Sequence, residues 1–283
     1  MLAWARIYAT KGNSLAAEAS FVRYLAAAPG DPKGYAYFAR MLIDDGDYAR
    51  ADALSAHGLE QGPSDPTALG VRGQILAMKG NLREGEELMM KAIVLDQKDA
   101  ETYFQLGSLY DRQSRTTQAV EEFRRAVAVD ASDARAWDYL ALDLEPEGKI
   151  NAANEAYLMA LRVNRKGWHY DGFVDYNYGR FLMKRGYLTA SKVHLDRAVD
   201  SLPGLRAPLY ERARLELRRG HYGDARRDAE AAAGILDEDG AVLDLQVNSL
   251  LESIYQHLGA IELAKKHSDL LRQASLPVLG DAR

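Results

Sequence analysis

The stretch Tyr103-Phe104-Gln105-Leu106-Gly107-Ser108-Leu109-Tyr110 decides how this chain folds. Tyr103, Leu106, Gly107 and Tyr110 stand at i, i+3, i+4 and i+7, which places them on one face of an amphipathic helix. Beyond a turn centred on Ser114, Ala119, Phe123 and Ala126 carry the same spacing into a second helix. Gly107 and Ala119 are small enough for the two helices to approach closely, while Tyr103, Phe123 and Tyr110 fill the space beside them. A single hairpin of this kind cannot bury its own apolar faces, so it needs neighbours to stack on.

Those neighbours are written into the rest of the chain. The turn residue recurs as Gly12, Gly46, Gly80, Ser114, Gly148, Gly186, Gly220 and Gly259, at intervals of 34, 34, 34, 34, 38, 34 and 39 residues. Five residues after each stands a small residue: Ala17, Ala51, Gly85, Ala119, Ala153, Ser191, Ala225 and Ala264. Seven before stand Ala5, Ala39, Gly73, Gly107, Ala141, Gly179 and Ala213, and then Glu252, which breaks the pattern. Glycine suits the hinge because a helix most readily ends through a left-handed residue. Pro29, Pro63 and Pro203 stop second helices before the next unit begins. Eight units follow, over about 1–31, 32–65, 66–99, 100–133, 134–167, 172–205, 206–239 and 245–278, in one all-helical domain without strands.

The pattern resembles the tetratricopeptide repeat (TPR) family, best in Trp137…Leu140-Ala141…Leu144…Gly148…Ala153…Tyr157…Ala160 and in the unit from Tyr103 to Ala126. The resemblance implies an all-α, right-handed α-solenoid of about eight TPR helix-turn-helix units. It also implies that the first helices line a concave groove used for protein or peptide binding. Arg72 and Arg212 depart from the pattern, standing where an apolar residue is usual, so their units are expected to be looser or their stems to run along apolar surface. The two long intervals imply insertions near 164–172 and 237–241, both rich in turn formers. Trp168, His169 and Tyr170 in the first form a contact patch or cap the adjoining stack. Pro146 is expected to shorten its helix. Met1 falls where the first helix should already be under way, and the tail after Pro277 is short. A longer parent, or a packing partner at either end of the solenoid, follows from that reading.

Composition narrows the function classes. The net charge of −5 argues against a nucleic-acid surface, which needs a basic face to displace counterions. The absence of cysteine excludes disulfides, thiolate chemistry and Cys-based zinc sites. No apolar run approaches the roughly 20 residues of a membrane span, and the first residues do not read as a signal peptide. The default compartment is the cytoplasm, or the periplasm or envelope if a signal lies upstream. His57, His169, His194, His221, His257 and His267 include no pair at i, i+3 or i+4, so no metal site is expected. No nucleotide-binding, hydrolase or zinc-protease motif is present. Ser108 has no sequence-local base, and acidic runs such as Asp44-Asp45 and Asp237-Glu238-Asp239 read as solvated turns. Neither catalytic residues nor a cofactor are expected.

Information on function therefore rests in the groove. Ten residues before each hinge the series runs Leu2, Ala36, Gly70, Phe104, Asp138, Tyr176, Tyr210, Ser249; six before, it runs Arg6, Arg40, Gln74, Ser108, Leu142, Arg180, Arg214, Ser253. The two series are four apart and share one helical face, which the resemblance places on the concave side. Phe104, Asp138, Tyr176, Arg180, Tyr210 and Arg214 are the expected partner-binding residues, and Arg6 and Arg40 make a second, weaker basic patch. The partner expected for them is a protein or peptide segment carrying acidic and apolar residues, with Asp138 favouring a basic residue. A Lys/Asn set for clamping a C-terminal carboxylate is missing, since Asn177 stands nearly alone. The sequence reads as a non-catalytic scaffold. Two alternatives stand beside it: a regulatory or partner-binding arm of a larger enzyme or sensor, and a pilus or envelope assembly factor, which the segment Asp175-Tyr-Asn-Tyr-Gly-Arg-Phe-Leu182 resembles.

Overall fold

Each of the eight hinge residues has a positive φ, from +58° at Ser114 to +90° at Gly80. That is the left-handed region in which a helix terminates without a steric penalty when the residue is glycine. Ser114 is the one non-glycine residue there among the described residues. The computed structural model describes residues 1–164, 170, 172–236, 240 and 242–275. Trp168, His169, the Asp237-Glu238-Asp239 run and the tail after Pro277 lie outside them.

The hinges join helices in pairs. Unit one, Met1–His169, holds α1 (Leu2–Thr10) with α2 (Ser14–Ala27), α3 (Pro32–Asp44) with α4 (Tyr48–Gln61), and α5 (Pro66–Met78) with α6 (Leu82–Leu95). It continues with α7 (Ala100–Arg112) and α8 (Thr116–Val129), then α9 (Ala134–Leu144) and α10 (Ile150–Val163). Unit two, from Tyr170 onward, holds α11 (Phe173–Lys184) with α12 (Leu188–Ser201), α13 (Arg206–Arg218) with α14 (Tyr222–Ala233), and α15 (Asp244–His257) with α16 (Ile261–Ser275). Among the described residues there are sixteen helices in eight pairs and no strand. Within each unit every second helix packs on the first helix of the next pair, which is the stacking of a solenoid.

Local signals set the boundaries. Asp31, Asp65, Asp99 and Asp133, spaced 34 apart, each accept a backbone N–H at the start of α3, α5, α7 and α9. Pro32 and Pro66 occupy the first turns of α3 and α5, where no N–H is needed. The helix before Pro146, α9, has 11 residues against 13 for α7, as the proline requires. The two long intervals fall between α10 and α11 and between α14 and α15. Tyr170 stacks on Phe173 at 5.4 Å.

Packing follows the small residues. Ala17, Ala51, Ala119, Ala153, Ser191 and Ala225 are fully buried, as are Ala5, Ala39, Ala141 and Ala213 across from them. Phe123 is fully buried against Gly107, where an added Cβ would come within 2.8 Å of its ring. Glu252, which breaks the series, is half-buried. Arg72 and Arg212 do not loosen their units. Arg72 Nη1 binds Asp52 Oδ1 at 2.6 Å, and Arg212 Nε and Nη2 bind the two oxygens of Asp228 at 2.7 and 2.9 Å. Each arginine thus ties its first helix to a second helix through a partly buried, hydrogen-bonded ion pair.

Ala119→Leu is expected to cost roughly 1–3 kcal/mol, because the added volume meets packed backbone and ring. Glu121→Leu should change stability far less, since that side chain is 61% exposed and gives up only a surface pair with Arg125. Urea unfolding of both variants measures the difference, and equal losses would mean that Ala119 is not at the closest approach.

Candidate partner-binding faces

The first helices of each unit carry an open face, but its register differs between the units. In unit one the residues ten before the hinge turn into the stack. Ala36 is 1% exposed, Phe104 7% and Asp138 0%, and a Cβ on Gly70 would lie 2.4 Å from Thr102 Oγ1 on α7. Phe104 packs its ring against Phe123 and Tyr139 and lies under the Arg135 guanidinium at 4.7 Å. Phe104 and Asp138 therefore offer no groove surface, which corrects the expectation for both. The physical reason is the helical repeat: one residue is about 100° of rotation, enough to move a row from the open face into the seam.

Rows thirteen, nine and six before the hinge form the open face of unit one. They bring together Glu101 and Arg135, Tyr37 and Gln105, and Arg6, Arg40 and Gln74 around a pocket of ≈ 250 Å³ floored by Phe21 and Met41. Arg135 Nη2 binds Glu101 Oε2 and Asp133 Oδ2, each at 2.9 Å, and Gln105 Nε2 donates to Glu101 Oε1 at 2.8 Å. Burial alone would raise the Glu101 carboxyl, but Arg135 and Arg40 beside it, with these hydrogen bonds, hold it down at about 2. Arg6 lies over the Tyr37 ring at 4.2 Å. Sequence reasoning missed Glu101, Arg135, Tyr37 and Gln105, although the 34-residue interval between Glu101 and Arg135 signals a shared register.

In unit two the expected rows do reach the open face. Tyr210, Arg214, Ser249 and Ser253 line a shallow concavity of ≈ 390 Å³ between α13 and α15. Arg180 lies over Tyr176 at 5.3 Å and Arg214 over Tyr210 at 5.7 Å, the same arrangement repeated one helix pair along. The two guanidinium groups converge on Glu211, Arg214 Nη1 at 2.9 Å and Arg180 Nε at 3.6 Å. Glu211 is 5% exposed, whereas the Arg180 and Arg214 side chains are 34% and 46% exposed. Tyr176, Arg180, Tyr210 and Arg214 are thereby contiguous through a carboxylate that the sequence reading did not include. Burial raises the Tyr210 hydroxyl above its ordinary range, and Arg214 opposes that shift.

Other groups with chemical potential are already engaged. Ser108 Oγ donates to the Phe104 carbonyl at 3.0 Å. Glu216, His221 and Asp224 bring three ligand atoms within 4.8 Å of one another, yet Arg219 binds Glu216 at 2.9 Å and His221 Nδ1 meets it at 2.8 Å. No described helix is long and apolar enough to cross a membrane.

A family model described as tetratricopeptide repeat matches residues 88–121, which include α7 and the Ser114 hinge. Solved structures share the fold over far more of the chain. A chain of the APC/C hetero-tetramer Cut9–Hcn1 is similar over 96% of this chain and 54% of its own, with TM-score 0.74 and 14% identity. This chain thus spans about half the length of that one. PilW, a widely conserved type IV pilus biogenesis factor, is similar over 74% of this chain and 94% of its own, with TM-score 0.63 and 20% identity. A tetratricopeptide repeat protein from Parabacteroides merdae follows at TM-score 0.55 and 14% identity, over 89% of this chain and 96% of its own. No curated protein matches the sequence. The chain has the tetratricopeptide-repeat fold, and the family model matches one stretch of it.

Proposed function

We propose that the chain is a non-catalytic scaffold that holds a protein or peptide segment, carrying acidic and apolar residues, on the open face of α11, α13 and α15. The observation that carries this reading is the repeated Tyr–Arg pair, Tyr176 with Arg180 and Tyr210 with Arg214, gathered around one buried carboxylate. Two cations share a single anion, so the face keeps a net positive charge within a chain of net charge −5. The tyrosine rings add stiff contact area at little entropic cost, and guanidinium groups bind carboxylates bidentately. The regulatory-arm and envelope-assembly readings differ only in which partner this face would hold.

Removing both arginines would strand Glu211 as a buried, unpaired charge, so the informative variant is Arg180→Gln, Glu211→Gln and Arg214→Gln together. A photo-crosslinker at Ser253, beside Arg214, should capture partner segments rich in Asp or Glu in the parent chain. Capture should fall at least tenfold in the triple variant and weaken with added salt. Glu211→Gln alone should strengthen it by freeing both cations. An undiminished set of crosslinks in the triple variant would overturn the assignment.

A further inference from the structure

The pocket of unit one has a composition that the face of unit two lacks. Arg6 and Arg40 line it, Arg6 over the Tyr37 ring and Arg40 near Glu101. Arg135, the third arginine of the pocket, is committed to Glu101 and Asp133. Gln74, on α5, is 9% exposed, and its Oε1 is buried without a hydrogen-bond partner, as is Arg40 Nε. A buried acceptor and a buried donor left unpaired each cost more than a typical hydrogen bond contributes. A ligand that supplied both partners would recover that loss.

We propose that this pocket binds one acidic amino-acid residue, its carboxylate on Arg6 and Arg40 and its N–H donated to Gln74 Oε1. The volume of ≈ 250 Å³ is that of roughly eight waters, the scale of a single residue rather than a long segment. Phe21 and Met41 on the floor suit the methylenes between the carboxylate and the N–H. Phosphate fits less well. Its second charge meets the carboxylates of Glu101 and Asp44, which also line the pocket, and it has no methylenes for Phe21 and Met41. Three arginines, Arg6, Arg40 and Arg135, line the pocket against two carboxylates, Asp44 and Glu101. The pocket lies on α1, α2, α3, α5, α7 and α9, so it stands or falls apart from the reading of α11, α13 and α15.

The same chemistry is presented by an acidic residue inside a peptide and by free glutamate. Titration of the full chain with N-acetyl-glutamate N-methylamide, free glutamate, glutarate and inorganic phosphate, read by calorimetry and by amide chemical shifts of α1, α3 and α5, separates them. One of the two amino-acid probes should bind at least tenfold more tightly than glutarate, which has the carboxylates but no N–H. Preference for the capped residue assigns the site to a peptide, and preference for glutamate to the free amino acid. Gln74→Leu should abolish the advantage over glutarate, and Arg6→Ala with Arg40→Gln should lower affinity for every carboxylate probe at least tenfold. Arg6 is exposed, so Arg6→Ala alone still tests the site if the Gln74 variant fails to fold. Equal binding of glutarate and the amino-acid probes, phosphate as the tightest ligand, or no binding of any carboxylate probe would overturn the proposal.

Discussion

Gly85→Val is expected to destabilise the α5–α6 pair by about 3 kcal/mol. A Cβ on Gly85 would lie 2.7 Å from the Gly73 carbonyl oxygen and 2.9 Å from Ala77 N, and a Cβ on Gly73 would lie 2.7 Å from the Gly85 carbonyl oxygen. These are backbone atoms, which cannot rotate away as a side chain does, so one helix must shift bodily. At Gly107 the nearest atoms belong to the Phe123 ring, which can move, and the expected penalty there is smaller. Valine also recovers little of the roughly 1 kcal/mol by which glycine weakens a helix interior. Gly223→Ala is the comparison, because nothing lies within 4 Å of its Cβ position. It should be neutral or stabilising by up to about 1 kcal/mol. Urea unfolding with amide exchange across α5 and α6 measures both, since a repeat array need not unfold in one step. Should Gly85→Val prove as stable as Gly223→Ala, the two backbones are not held at that distance by packing.

The second large effect depends on pH. Asp143 on α9 is 6% exposed, and its Oδ2 is buried without a partner. Burial pushes its carboxyl up, and the Asp111 carboxyl beside it, together with Glu147, pushes further, to about 7. The unfolded chain releases this proton near 3.8, so between there and 7 the folded state binds one proton more. Stability from this group therefore falls as pH rises through that window, by roughly 1.4 kcal/mol per unit at most. Glu101 acts in the opposite sense and in a separate window: its contribution is present above 4.5 and disappears as pH falls towards 2. Asp143→Asn keeps the shape and removes the ionisation. It should be more stable than the parent at pH 8, by about 2 kcal/mol or more, and nearly equal to it at about pH 3.5. Urea midpoints across that range decide the point, and parallel curves for the two chains would show that Asp143 ionises as an ordinary surface carboxylate does.

Much of the fold was legible in the chain because its signals are local and periodic. The turn glycines, the small residues five after them and the prolines after second helices each act within a few residues of themselves, so repetition at 34 made them readable. Arg72 and Arg212 show the limit of that legibility. Read locally, each weakens its helix; in three dimensions each meets an aspartate on a second helix, Asp52 or Asp228, and becomes a tie between helices.

The candidate site was legible in part, for a geometric reason. Spacing four residues apart determined that rows ten and six share a helical face, and in unit two Tyr210 and Arg214 do line a common concavity. Which face points outward depends on how neighbouring first helices seat against each other, and that seating is tertiary. In unit one the small residues Ala36 and Gly70 let row ten sink into the seam, carrying Phe104 and Asp138 with it and opening rows thirteen and nine instead. Glu211 was invisible for the same reason. Its role comes from two arginines, one on its own helix α13 and one on α11, that only stacking brings to one carboxylate. Local periodicity thus determined the repeat, the hinges and the all-helical class, whereas the charge partners and the open register were decided by packing between neighbouring helix pairs, which no single window of sequence contains.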